Sequence, residues 1–277
     1  MNSNRLTWNG NGQAATRRRR IMNHAAVINK YLKERRRFDD LFHHYPFLTI
    51  SREVGAGGHT IAREVIRKLE DRFPQQEMAQ GWEVFDQKLC VMILQNTKLK
   101  VSFESLVKEE YVSESRQFVM DLLSGRSTQY TMFKKTFGII RLLCRIGKVV
   151  IVGRGGANLT GDLPQGVHVR LVAGFDERVE RMAKMLDLPV EKARVQVRDQ
   201  DRNRSRLVKS YFNRDIADPH LYDAVYNTQT LDIASISDSI VSLIDHKMEM
   251  VRSGQIEELL AQGGRYRKRK SSQPPRS

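Results

Sequence analysis

Four consecutive β-branched residues, Val149-Val150-Ile151-Val152, run without a polar interruption into Gly153-Arg154-Gly155-Gly156. A strand with no polar face is covered on both sides, which is the pattern of a parallel sheet between two layers of helices. Similar short runs occur at residues 47–51, 82–85, 167–172 and 224–227. Helical patterns separate them: 58–72, from Asp86 to about Gln95, 102–147 with breaks near Ser113 and Gly125, 175–187, 190–212 and 234–251. Strand and helix alternate along the chain, so the economical fold is α/β with helices on both faces of a parallel sheet. The 277 residues, 40% of them hydrophobic, suffice for one such domain with additions. No apolar run approaches the ~20 residues of a membrane span, and the N-terminus has no apolar signal core, so a cytoplasmic protein is expected.

In open parallel sheets, ligands bind beyond the carboxyl ends of the strands. The first strand ends in Ile50-Ser51-Arg52-Glu53-Val54-Gly55-Ala56-Gly57-Gly58-His59-Thr60, with a helical pattern after it. Strand, glycine loop and helix together aim backbone N–H groups and a helix N-terminus at a phosphate. The usual phosphate loop is G-x-x-x-x-G-K-[ST]. Gly57 and Thr60 can be laid on its Gly and Ser/Thr with one extra residue between, but no lysine stands nearby. The other strand ends deliver Asp86, Arg154 within Gly-Arg-Gly-Gly, and Asn227 with Thr228. Any one of these can be only a turn. Residues 190–212 add a dense set of arginines, with Arg198, Arg202 and Arg206 on one helical face and Asp201 facing Arg204. Such a helix is either a solvated surface or a source of guanidiniums for transferring phosphoryl groups.

The net charge of +15 is concentrated at the ends. Residues 1–20 hold five arginines and no acid, residues 265–277 hold six basic residues and no acid, and the middle carries the remaining +4. Such tails suit weak, salt-sensitive contacts with nucleic acid or an anionic surface, or are merely solvated. Cys90 and Cys144 lie in apolar helical patterns and read as buried free thiols. The expected organisation is a basic tail at 1–20, a helix at 21–45, a domain at 46–252 and a second tail at 253–277. Met22 offers an alternative start.

The segments ISREVGAGG…IA, FDQKL, VIVGRGG, Asp201-x-x-Arg204 and DPHLYDAVYNT occur in this order. Together they resemble the cytidylate kinase-like family over residues 47–245. The resemblance implies a P-loop NTPase-type three-layer sandwich with a helical lid at about 190–212. It implies phosphoryl transfer from ATP, with Mg²⁺, to a nucleoside monophosphate such as CMP or dCMP. It assigns phosphate binding to Gly55, Ala56, Gly57, Gly58, His59 and Thr60, with Thr60 also reaching the metal. Gly58 takes the position of the family's lysine. Asp86 and Arg154 would hold the acceptor. Arg198, Arg202 and Arg204 would be lid arginines with Asp201 orienting one of them, and Asn227 and Thr228 would lie near the donor base.

Two charges are missing from the standard pattern: the loop lysine, and the acid after Arg154, where this chain has Gly155. Arg52, the cation in the entry to the loop, is the expected substitute for the lysine, ahead of His59, which is mostly neutral at pH 7. The alternatives are a nucleotide-binding regulator that has lost turnover, a kinase of another small acceptor, and nucleic-acid binding through the tails.

Overall fold

The computed structural model describes residues 45–86, 129–153 and 155–262, with the backbone alone over 129–135. The expected helices at 21–45 and 86–95, the tail at 1–20, Cys90 and Arg154 lie outside the described residues. Five strands form one parallel sheet in the order β2-β3-β1-β4-β5: β1 (Phe47–Arg52), β2 (Glu83–Phe85), β3 (Val149–Val152), β4 (Gly166–Val172) and β5 (Ala224–Asn227). The register pairs Ile50 with Val152 on one side of β1 and with Val169 on the other.

Alternation along β1 sorts the two faces. Leu48 and Ile50 join Val150, Val152, Val169 and Leu171 beneath helices α1 (Gly58–Arg72) and α6 (Ile233–Arg252), which contribute Ile61, Val65, Leu69, Ile240 and Ile244. Phe47 joins Val149 and Ile151 on the opposite face, against Ile140, Leu143 and the buried Cys144 of α2 (Gln129–Ile146). Each fully buried aliphatic side chain here contributes about 1.5–3 kcal/mol. The short helix α3 (Gly156–Thr160) shares that second face. Helices α4 (Phe175–Leu186) and α5 (Val190–Phe212) form a third cluster, in which Val179, Met182, Ala193 and Val197 close over Val54. Among the described residues no helix is long and apolar enough to cross a membrane.

The strands fall within a residue or two of the positions read from the sequence. The expected tail from 253 is corrected in part: α7 (Gln255–Ala261) continues the fold, and its Ile256 is fully buried. A segment of seven residues, Gln-Ile-Glu-Glu-Leu-Leu-Ala, is too short for its helical period to be recognised.

The second face of the sheet is not wholly apolar. Thr49 Oγ1 and His168 Nδ1 share a hydrogen bond of 2.8 Å between two buried side chains. Thr49→Val keeps the shape and removes the partner of that ring nitrogen. It is expected to lower stability by about 1–2 kcal/mol, measured by urea denaturation.

Candidate active site

The loop after β1 turns at Gly55 and Gly57, both at φ +81°, and Gly57 stands as the left-handed residue immediately before α1. The Thr60 and Ile61 amides return to Gly57 O, both at 3.0 Å, and the Ala56 amide bonds Glu53 O at 3.3 Å. The amides of Gly55, Gly57, Gly58 and His59 have no acceptor among the described residues. Four N–H groups in the loop and first turn of a helix are the kind of donors that an anion-binding loop offers. The Thr60 hydroxyl likewise makes no hydrogen bond among the described residues.

Arg52 lies over this loop. Its Cγ and Cδ stand 3.2 and 3.4 Å from where a side chain at Gly58 would begin. Its guanidinium packs on Gly153, at φ +89°, in the space a Cβ there would fill. Arg52 thus runs from the lysine-aligned position of the loop to the turn after β3, and glycine at both 58 and 153 leaves the room for it.

The loop entry is held by an ion network. Asp201 of α5 accepts from the Val54 amide at 2.8 Å and from Arg178 Nη1 at 2.6 Å. Arg178, 5% exposed, also donates to Val54 O and Ala173 O and stands 3.2 Å from Glu53. Glu53 accepts from the Ala173 amide at 3.1 Å. Arg204 Nη1 donates to Arg52 O at 3.1 Å and stands 3.8 Å from Asp201. Burial pushes the Arg204 guanidinium below its ordinary range; Asp201 opposes this, and the nearby Arg178 and Arg170 add to it.

The remaining expected residues divide. Arg202 lines a recess with Arg52 and Arg204. Arg198 instead stands over the Phe175 ring, 5.8 Å from its centroid, beside Arg194. His59 and Asp86 meet each other at 3.5 Å across the first turn of α1. Asn227 accepts from the Gln229 amide, capping its own turn, and Thr228 accepts from Arg181. Arg181 and Thr228 border a small notch with Ala56, Gly57, Leu231 and Ile233 on the far side of the loop.

Between the end of β1, the Gly153–Gly155 turn with α3, and α5 lies a cavity of about 340 Å³. Ser51, Arg52, Asn158, Gln200, Asn203 and Arg204 supply its polar lining, and none of the described residues lining it is acidic. Gly155 forms part of its wall, and the Phe212 ring covers it, with Cε2 2.7 Å from where a Cβ would stand. Phe212 is itself held by Phe137, whose ring lies 5.4 Å away. A side chain at 155 would have to push the end of the Phe212 ring aside and adopt the left-handed backbone at φ +68°.

Sequence reasoning did not single out Glu53, Arg170, Arg178 or Tyr222. Arg170 carried a legible signal: His168 and Arg170 alternate with valines in a strand that is otherwise apolar, so both point to one face.

A parallel sheet of this strand order, with a glycine loop after its first strand, defines the P-loop kinase class of fold. Within it, residues 47–230 match the cytidylate kinase-like family, and the chain belongs to that family. A cytidylate kinase of Halorubrum lacusprofundi is 31% identical over 73 residues, which is 26% of this chain and 38% of that enzyme. The chain thus matches well under half the length of that relative. An uncharacterized protein from Eubacterium ventriosum has a similar fold, with TM-score 0.50 and 17% identity over 72% of this chain and 98% of that one. The shikimate kinase of Acinetobacter baumannii aligns over 73% of this chain and 94% of its own at 15% identity, with a TM-score of only 0.36.

Proposed function

We propose that this chain transfers the γ-phosphoryl group of ATP to a nucleoside monophosphate, with CMP or dCMP the first acceptors to test. The observation that carries the reading is the set of four amides without acceptors in the loop and at the start of α1, with the Arg52 stem beside Gly58. ATP phosphates fit those amides. Arg52 takes the place of the loop lysine as the cation on the β- and γ-phosphates, and a guanidinium suits that task because it is always charged and can bind two oxygens at once. The Thr60 hydroxyl would hold Mg²⁺, which needs few protein ligands beside phosphate oxygens; the ion supplies neutralisation of phosphate charge. The notch bounded by Arg181, Thr228 and Leu231 is the proposed place of the donor base.

The proposed place of the acceptor is the cavity between the end of β1, the Gly153–Gly155 turn and α5, with Asp86, Arg154 and the α5 arginines as its proposed contacts. One of its phosphate oxygens attacks the γ-phosphorus in line. A new P–O bond forms as the bond to the β–γ bridging oxygen breaks, and ADP leaves with that electron pair. No covalent enzyme intermediate is required, and the protein's work is positioning and charge stabilisation. Gly153→Ala places a methyl group in the space of the Arg52 guanidinium. It is expected to lower turnover by about tenfold or more through misplacement of that group, with a native circular dichroism spectrum.

The absence of the acid of the usual Gly-Arg-Asp motif, with Gly155 in its place, favours one alternative, a nucleotide-binding regulator without turnover. Diphosphate formation from ATP, Mg²⁺ and a panel of monophosphates separates the two. Product from a pyrimidine acceptor supports the kinase. ATP binding without product from any acceptor supports the regulator, and absence of ATP binding contradicts both.

A further inference from the structure

The 340 Å³ cavity proposed for the acceptor has a neutral polar lining as well as a charged one. Arg52 and Arg204 supply the charge. The two hydroxyls, of Ser51 and Tyr222, are already engaged. Tyr222 Oη donates to Ile216 O at 2.9 Å, so the Ser51 proton goes to Tyr222 Oη, 3.1 Å away, and Ser51 Oγ accepts from Arg170 Nη1 at 3.2 Å. Three carboxamides remain: Asn158 of α3, and Gln200 and Asn203 of α5. None of these three side chains makes a hydrogen bond among the described residues.

Several carboxamides elsewhere in the fold are held in one orientation. Gln80 Nε2 donates to Phe73 O at 3.1 Å, Asn227 Oδ1 accepts from the Gln229 amide at 3.0 Å, and Gln229 Oε1 accepts from the Gly174 amide at 3.0 Å. Nothing among the described residues fixes which end of Asn158, Gln200 or Asn203 faces the cavity. A carboxamide carries an acceptor oxygen and a donor NH₂ side by side, and a half-turn of the group exchanges them. It therefore matches a base edge that reads donor then acceptor, or one that reads acceptor then donor. Gln200, Asn203 and Leu207 lie at helical spacing on one face of α5, and Val208 and Ile216 extend the apolar part of the wall. An apolar wall beside a hydrogen-bonding edge suits a flat heterocycle, whose faces are apolar and whose rim is polar. A polyol would turn hydroxyls against that wall and leave them unpaired.

We propose that Asn158, Gln200 and Asn203 read the base of the acceptor and, being unanchored, take an amino-bearing and a keto-bearing pyrimidine alike. The substrate class is then pyrimidine nucleoside monophosphates, CMP and UMP together, rather than cytidylate alone. Selection between the two needs a group that only accepts or only donates, because such a group penalises one of the edges. The described lining holds no carboxylate to do so, and its two guanidiniums are engaged by phosphate in the reading above. The inference rests on the placing of the acceptor in this cavity, and adds to it the residues that read the base and the range of bases they admit.

CMP, UMP and ribose 5-phosphate are titrated calorimetrically into the full chain, with and without a non-hydrolysable ATP analogue and Mg²⁺, and into the Gln200→Glu, Asn203→Asp and Asn158→Asp variants. The wild type is expected to bind CMP and UMP within about tenfold of each other, and ribose 5-phosphate at least about tenfold more weakly than either, the scale of one or two lost hydrogen bonds. A carboxylate only accepts, so Gln200→Glu is expected to move the CMP-to-UMP affinity ratio toward CMP by about tenfold, and the two Asp variants to move it the same way by less. The ratio is read because an added negative charge near Arg204, or a loosened fold, weakens both nucleotides together. A ratio unchanged in all three folded variants, a wild-type preference above about tenfold, ribose 5-phosphate binding as tightly as the nucleotides, or no binding of any of the three ligands overturns the proposal. Nucleotides that bind in the expected pattern yet are not phosphorylated remove the transfer reading and leave the base-reading carboxamides standing. Product from CMP, with the ratio unaltered in every variant, removes the carboxamides and leaves the transfer.

Discussion

Arg52→Ala lowers phosphoryl transfer by about 10³-fold, the scale of a lost arginine on a transferring phosphoryl group. The loop's amides bind charge that is present in ground state and transition state alike. A guanidinium aimed at the β–γ bridge gains most as the bond breaks, so the loss falls on kcat more than on ATP affinity. Arg52→Lys restores part of the rate, because it keeps the charge and loses the two-oxygen fork. Arg52 also lies against Gly58 and Gly153, so both variants need a thermal melt beside the kinetics. A melting temperature within a few degrees of wild type, with the rate lost, assigns the effect to chemistry. A rate unchanged by Arg52→Ala removes Arg52 from the role of the missing lysine.

Arg178→Ala has its largest effect on stability. One guanidinium ties two carboxylates, Val54 O and Ala173 O into a single cluster beneath the loop. Removing it strands Glu53 and Asp201 beside each other with Arg170 and Arg204 only at 3.8 Å. Breaking a buried ion pair from one side costs about 3–5 kcal/mol. Both carboxylates are 26% exposed, which places this case at the lower end, about 3 kcal/mol. For a domain of this size that is roughly a 10 °C fall in melting temperature, measured by calorimetry. A fall of under 2 °C contradicts the view that this cluster fixes the loop on α4 and α5.

Much of the fold was legible because the signals were local. β3 is an uninterrupted β-branched run, and both it and β5 fall at the residues read from the sequence. Helix α1 has its apolar residues at helical spacing, and its start is marked by the glycines before it. The glycine loop was legible for the same reason. What escaped was long-range. Arg178 and Asp201 are 23 residues apart, and Glu53 lies more than a hundred residues before either, so no window along the chain contains the cluster. The resemblance gave Arg198, Arg202 and Arg204 of α5 one shared role. Packing separates them, sending Arg204 to the loop and Arg198 to Phe175. The packing of the Phe212 ring against Gly155 was also hidden, since Phe212 stands at the far end of α5.

The most direct test of the central claim is a crystal structure with a non-hydrolysable ATP analogue and Mg²⁺. The account predicts the analogue's phosphates on the amides of Gly55, Gly57, Gly58 and His59, with the Arg52 guanidinium turned onto the β- and γ-phosphate oxygens. An analogue seated away from that loop, or seated there with Arg52 still packed on Gly153, contradicts it.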